Sequence, residues 1–265
     1  MIIGASERAP SPRTGGARGF ILHMTLALLV GLYAFPADAG EGAGLLFLGF
    51  SPDGRAAAFE QYGVDNETRF PYAQITIVDV AANKWLPDMP LLSIVTRAGA
   101  ALRQAREEAA AQAAPLMKRL GVARRGELLA ADAEGEIHAP LDGAGVEAAR
   151  AQTQSVLALQ GETFGSARLA LETIAVEAPA CAGGAKGIAL TLERVAASPL
   201  LLQRDASLRK SRFCPQAYGL AEARAFRAPD GDTAFVAFIE TFPPGVRGPD
   251  RRFIAVTTLL KKDAP

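Results

Sequence analysis

Two patterns of apolar and polar positions divide this chain: short apolar runs bounded by turn residues, and one long stretch with helical spacing. The first runs, Leu45-Leu-Phe-Leu-Gly-Phe50 and Ala56-Ala-Ala-Phe-Glu-Gln-Tyr62, flank Ser51-Pro-Asp-Gly-Arg55. Pro52 presets φ for the first corner of a type I turn and Asp53 accepts hydrogen bonds from the backbone beyond it. Gly54 tolerates the positive φ that closes a three-residue loop. The stretch predicts a β-hairpin, extended by a third strand at Ile75-Thr-Ile-Val-Asp-Val80, whose β-branched residues suit a pleated, half-buried surface.

The same order recurs downstream. Phe226-Arg-Ala-Pro-Asp-Gly231 precedes Thr233-Ala-Phe-Val-Ala-Phe-Ile239, a Pro/Gly loop and Phe253-Ile-Ala-Val256. Laying Asp53 on Asp230 brings Ile77-Val78 onto Ile254-Ala255 without a gap, which predicts two copies of one three-stranded unit, over 45–80 and 220–258. Pro-Asp-Gly turns are common in hairpins, so chance agreement is the alternative.

The helical stretch runs from Ala98 to Leu120, with Leu102, Ala105, Ala109, Ala113, Leu116, Met117 and Leu120 on one face. Gly121 is placed to end it and Pro115 to kink or divide it. Its stripe is mostly alanine, so it approaches a sheet closely while burying little area. Packing on the β core is the expected use, and docking a partner the other. Further short runs at 128–130, 155–159, 167–176, 187–195, 200–203 and 220–226 predict strands. The fold class is therefore mainly β: antiparallel sheets, as incomplete propeller-like blades or a β-sandwich, with one Ala-rich helix near 98–120.

The N-terminus breaks this pattern. Arg13 and Arg18 precede the apolar run from Met24 to Phe35, followed by Pro36 and the small-residue site Ala37-Asp-Ala39. This is the layout of a secretory signal cleaved before Gly40, whether translation starts at Met1 or Met24. The run is well short of the roughly 20 residues of a membrane-spanning helix, so no stable anchor is expected after cleavage. Residues 40–265 would then form a single mainly-β exported domain. Gly40-Glu-Gly-Ala-Gly44 precedes a strand instead of linking strand to helix, so it reads as a flexible new N-terminus and not as a dinucleotide loop.

Composition works mostly by exclusion. With 28 basic and 28 acidic residues among 265, the chain has no global field to steer it onto nucleic acid. Both cysteines, Cys181 and Cys214, lie in the exported part, where one disulfide is the simplest outcome. It would close a loop of about 34 residues, worth roughly 3–4 kcal/mol on the chain-entropy model.

Gly49-Phe-Ser-Pro-Asp-Gly-Arg55, Phe59-Glu-Gln-Tyr-Gly63, Phe70-Pro-Tyr72, Val78-Asp-Val-Ala-Ala-Asn-Lys-Trp85, Ser211-Arg-Phe-Cys-Pro215 and Gly248-Pro-Asp-Arg-Arg-Phe253 follow the signal segment in that order. Together they resemble a family of bacterial predicted secreted proteins of unknown function, over nearly the whole mature chain. The family supplies no activity to carry over. About forty residues around each Pro-Asp-Gly turn also resemble the blade motif of TolB-like and WD40-like β-propellers.

The chemistry narrows further. His23 lies in the signal, which leaves His138 as the one histidine of the mature chain, in the loop Glu136-Ile-His-Ala-Pro140. A multi-histidine metal site is therefore excluded, and no Gly-x-Ser-x-Gly elbow accompanies His138. No cofactor is expected. If the two units packed side by side, Glu60 and Glu240 would converge as an acid and base pair. The other polar feature is an arginine set: Arg247, Arg251 and Arg252 in one loop, and Arg212 beside Cys214. Arginine forks hold carboxylates or phosphates at two points, so this set is a candidate site for a small anionic ligand or a protein partner. Bracing by Asp250 or Asp205 is the structural alternative. These readings predict a non-catalytic periplasmic or secreted binding or scaffold protein, with a periplasmic carboxylate-dependent hydrolase as the alternative.

Overall fold

A computed structural model describes residues 40–131, 154–181, 185–195, 197–209 and 212–262. The signal segment and the loop carrying His138 lie outside these residues. Among the described residues, thirteen strands build three open antiparallel sheets, joined by one helix. The first holds β1 (Gly44–Phe50), β2 (Ala56–Val64), β3 (Pro71–Asp79) and β4 (Lys84–Trp85) in that order, with β5 (Leu91–Ile94) also pairing β3. The middle sheet has the order β13 (Arg252–Leu260), β12 (Thr233–Thr241), β11 (Tyr218–Arg227), β6 (Glu127–Ala131). The third has the order β10 (Leu200–Arg204), β9 (Ala185–Arg194), β8 (Gly165–Val176), β7 (Gln154–Gly161).

Burial decides how these sheets stack. Phe47, Phe59 and Val78 of the first sheet share an apolar cluster with Ala234, Val236 and Phe238 of β12. From the opposite face of β12, Phe235, Ala237 and Ile239 join Leu169, Leu171, Leu190 and Leu192 of the third sheet. The middle sheet is thus covered on both faces, which is why β12 reads as a continuous apolar run and not as an alternation. In β7, at the edge of the third sheet, exposed residues alternate with more buried ones.

The helix α1 (Leu102–Leu120) lies on the outer face of the first sheet. Ala105, Ala109 and Ala113 are fully buried against Ala58, Ala73, Ile75 and Ile77, the close approach that an alanine stripe allows. It starts four residues later than its spacing predicts, because Arg97–Ala100 forms a turn with Gly99 at φ +72°. Its end matches the prediction: Gly121 adopts φ 66°, and the Gly121 and Val122 N–H groups satisfy the Lys118 and Met117 carbonyls.

Both predicted hairpins form, with different loops. Ala228 and Asp232 close a three-residue loop, as expected. Ser51 instead pairs with Ala56, so the first loop includes Arg55 and has four residues. The gapless alignment of the third strands does not survive either. Ala58 faces Ile77, but its counterpart Phe235 faces Thr258, four positions beyond Ile254. The connection 242–251 is longer than 65–70 by that amount.

Candidate functional site

Strand β5 is absent from the sequence prediction because Pro87 and Pro90 read as a break. The Val95 N–H donates to the Pro71 carbonyl at 3.0 Å, and the ladder continues with Ser93 opposite Ala73. By antiparallel alternation, the backbone groups of Leu92 and Ile94 then point away from β3, and no described strand pairs them. Their side chains project from the face opposite the helix and are about half exposed, while Ser93 turns the other way to donate to Glu108 at 2.8 Å.

Beside this edge lies a cleft of about 640 Å³. Leu92, Ile94, Phe70 and Phe213 form apolar walls, and Pro243 and Pro244 come from the longer connection before β13. Phe213 is 71% exposed. It and Cys214 both hold positive φ (52° and 55°), a conformation that costs on the order of 1 kcal/mol or more for a non-glycine residue. Cys214 is fixed by its disulfide to Cys181, with a Cα separation of 5.6 Å.

The polar end of the cleft contains Glu41, Asp65, Tyr72, Asp250 and Arg252. Arg252 lies 2.7 Å from the Glu41 carboxylate, 3.4 Å from Asp250 and 5.4 Å from the centre of the Tyr72 ring. Burial pushes the Tyr72 phenol well above its ordinary range; Arg252 opposes this, while Glu41 and Asp250 add to it. Burial works against the Arg252 charge, but the Glu41 and Asp250 carboxylates outweigh it and raise the guanidinium above its ordinary value. Asp65 is kept below the usual carboxylate range by the Thr68 backbone N–H and hydroxyl, each 2.7 Å away. Gly63 is needed beneath Tyr72, since an added Cβ would stand 2.9 Å from the phenol oxygen.

The segment expected to be a flexible N-terminus is part of this architecture. Glu41 is buried, its N–H donates to Asp250 at 2.9 Å, and the Glu41 carbonyl accepts from the Arg251 N–H at 2.6 Å. Flexibility was inferred from the glycines alone; these contacts, with residues some 209 positions away, tie the segment down.

Of the four predicted arginines, Arg212 and Arg252 line two different cavities. Arg212 and Asp205 form a buried two-point ion pair. Arg251 reaches the Ala43 carbonyl at 3.3 Å and approaches Glu240 at 3.7 Å, while Arg252 is held by Glu41 and Asp250. Arg247 is exposed. Asp205 and Asp250 therefore act as the braces considered above. The proposed carboxylate pair is also separated. Glu60 faces the helix, where Arg106 holds both oxygens at 2.8–2.9 Å, whereas Glu240 lies on the middle sheet beside Arg251.

Leu92, Ile94, Tyr72 and Glu41 were the residues missed. The alternation in Leu91-Leu-Ser-Ile-Val95 is the local signal for the first two; none marks the others. Among the described residues no helix is long and apolar enough to cross a membrane. Searches of curated proteins and of solved structures return no match for the chain. Residues 58–258 match the family described as predicted secreted protein (DUF2259), a span covering most of the three sheets, and the chain belongs to that family.

Proposed function

We propose that this secreted protein is a non-catalytic binding or scaffold protein of the periplasm, and that it holds its partner in the cleft beside β5. The observation that carries this reading is the coincidence of an unpaired strand edge with three exposed apolar side chains, Leu92, Ile94 and Phe213, around one cleft. An extended segment of a partner polypeptide pairing with Leu92 and Ile94 would place alternate side chains against those walls. The carboxylates on which a hydrolase would rest, Glu60 and Glu240, face different layers, Glu60 toward Arg106 of the helix and Glu240 toward Arg251.

The test is affinity capture of the exported, disulfide-bonded protein from its own cell envelope, with mass spectrometry of what is retained. A defined protein held by the wild type and lost in a Leu92→Ser, Ile94→Ser double variant of unchanged thermal stability is the expected result. Equal retention by the variant would refute the cleft as the docking surface.

A further inference from the structure

A second cavity, of about 310 Å³, opens where all three sheets meet. Asn83, Lys84 and Trp85 come from the β3–β4 turn and β4, Gln203 from β10, Ile254 from β13, and Arg209 from the loop after β10. Its rear wall is fixed by a polar chain. The Asn83 amide donates to Gln203 at 3.0 Å, and its oxygen accepts the Thr257 N–H at 3.0 Å. Gln203 in turn donates to Asp205 at 2.8 Å, and Asp205 holds Arg212. Asn83 adopts φ 51°, and its side chain reaches Gln203 and Thr257 across the junction.

The mouth is different in character. Lys84 and Arg209 are exposed, and among the described residues neither has an ion-pair partner and no carboxylate lines the cavity. Trp85 is 43% exposed beside Val78 and Ile254, so an indole face is available for stacking. Arg212 adds no free charge, because Asp205 neutralises it.

From this arrangement we infer that the junction cavity binds a carboxylated sugar ring of the uronic acid class. The Arg209 fork and Lys84 match a carboxylate, the indole and Ile254 match the apolar face of a pyranose, and the Asn83 and Gln203 amides match its hydroxyls. The volume is at the lower end for small-molecule sites and suits one or two rings. The ring is either a free sugar acid or the accessible end of an acidic polysaccharide. This site is separate from the β5 cleft, and its failure would leave the reading of that cleft untouched.

Trp85 is the chain's only tryptophan, so its emission reports on this cavity alone. The exported protein, with its disulfide intact, is titrated with glucuronate, a uronate trisaccharide, glucose and inorganic phosphate. A saturable change with the uronates, about tenfold or more weaker with glucose and with phosphate, is expected. The trisaccharide binding tighter than glucuronate supports the cavity and identifies a polymer end; equal affinity supports it with free sugar acid. A Lys84→Ala, Arg209→Ala variant, altered only at exposed positions, should lose about tenfold or more in affinity. Calorimetry on Trp85→Ala should show the same loss without reliance on fluorescence. Equal affinity for glucose, equal affinity for phosphate, wild-type affinity in the double variant, or no saturable response to the uronates would each overturn the inference.

Discussion

The two Pro-Asp-Gly units differ most where they look most alike. Strands β2 and β12 occupy corresponding places: each follows the turn and is central to its meander. Residues β2 Gln61 and β12 Phe238 correspond, yet Phe238 fills an aromatic cluster, with ring centres 5.2 Å from Phe59 and 5.9 Å from Phe47. Gln61 instead grips the Phe253 backbone, donating to its carbonyl at 2.9 Å and accepting its N–H at 2.7 Å. At this position one unit therefore contributes apolar bulk to the shared interface, and the other contributes the polar link that aligns it. The remaining difference is the connection to the third strand, four residues longer in the second unit. Those extra residues bring Pro243, Pro244 and Asp250 to the cleft, and Asp250 and Arg252 anchor Glu41. The candidate site sits where the two units cease to match.

Phe238→Ala should produce the largest loss, about 3–5 kcal/mol, because an unfilled cavity would remain between two sheets. Chemical denaturation measures this; a loss below about 1 kcal/mol would mean that the sheet interface repacks freely. At the corresponding position, Gln61→Leu is nearly isosteric but leaves the Phe253 N–H and C=O buried without partners. We expect about 2 kcal/mol by the same method, and a neutral result would remove Gln61 as the aligning link.

The turns sharpen the comparison on a smaller scale. In the first, the Ser51 hydroxyl donates to Asp53 at 2.6 Å and accepts the Ala56 N–H at 2.9 Å; alanine occupies the equivalent place in the second. Ser51→Ala should cost about 1 kcal/mol at neutral pH. The Ser51 hydroxyl, and then the Arg55 backbone N–H, hold the Asp53 carboxyl below its ordinary value of 3.8. A depressed folded-state value gives stability that is present above the unfolded carboxylate value and is lost as pH falls through the folded one. The difference between wild type and Ser51→Ala should therefore narrow below pH of about 4, and a difference constant into that range would exclude the carboxylate as its source.

Much of the fold was legible because its signals are local. Apolar runs, Pro-Asp-Gly turns and a helix-ending glycine act within a few residues, so strands, hairpins and the end of α1 could be placed from them. The cysteine pair was also accessible, since only two cysteines exist. The candidate site was much less legible. Glu41 meets Asp250, and Gln61 meets Phe253, across 209 and 192 positions, and no local spacing encodes either meeting. Strand β5 was hidden by the two prolines that precede it. The arginine set and its braces Asp205 and Asp250 were conspicuous in sequence, but the partner Glu41 was not.

By itself, then, the sequence determined the mainly β class, the antiparallel hairpins, the disulfide partners and the alanine face of the helix, because propensity, turn geometry and composition act through near neighbours. Tertiary structure alone decided that Glu41 reaches Arg252, which sheets are covered on both faces, and that the β5 edge has no described partner on its outer side. Those outcomes depend on how three sheets stack and how long one connection is, and so on packing and desolvation between residues far apart in the chain.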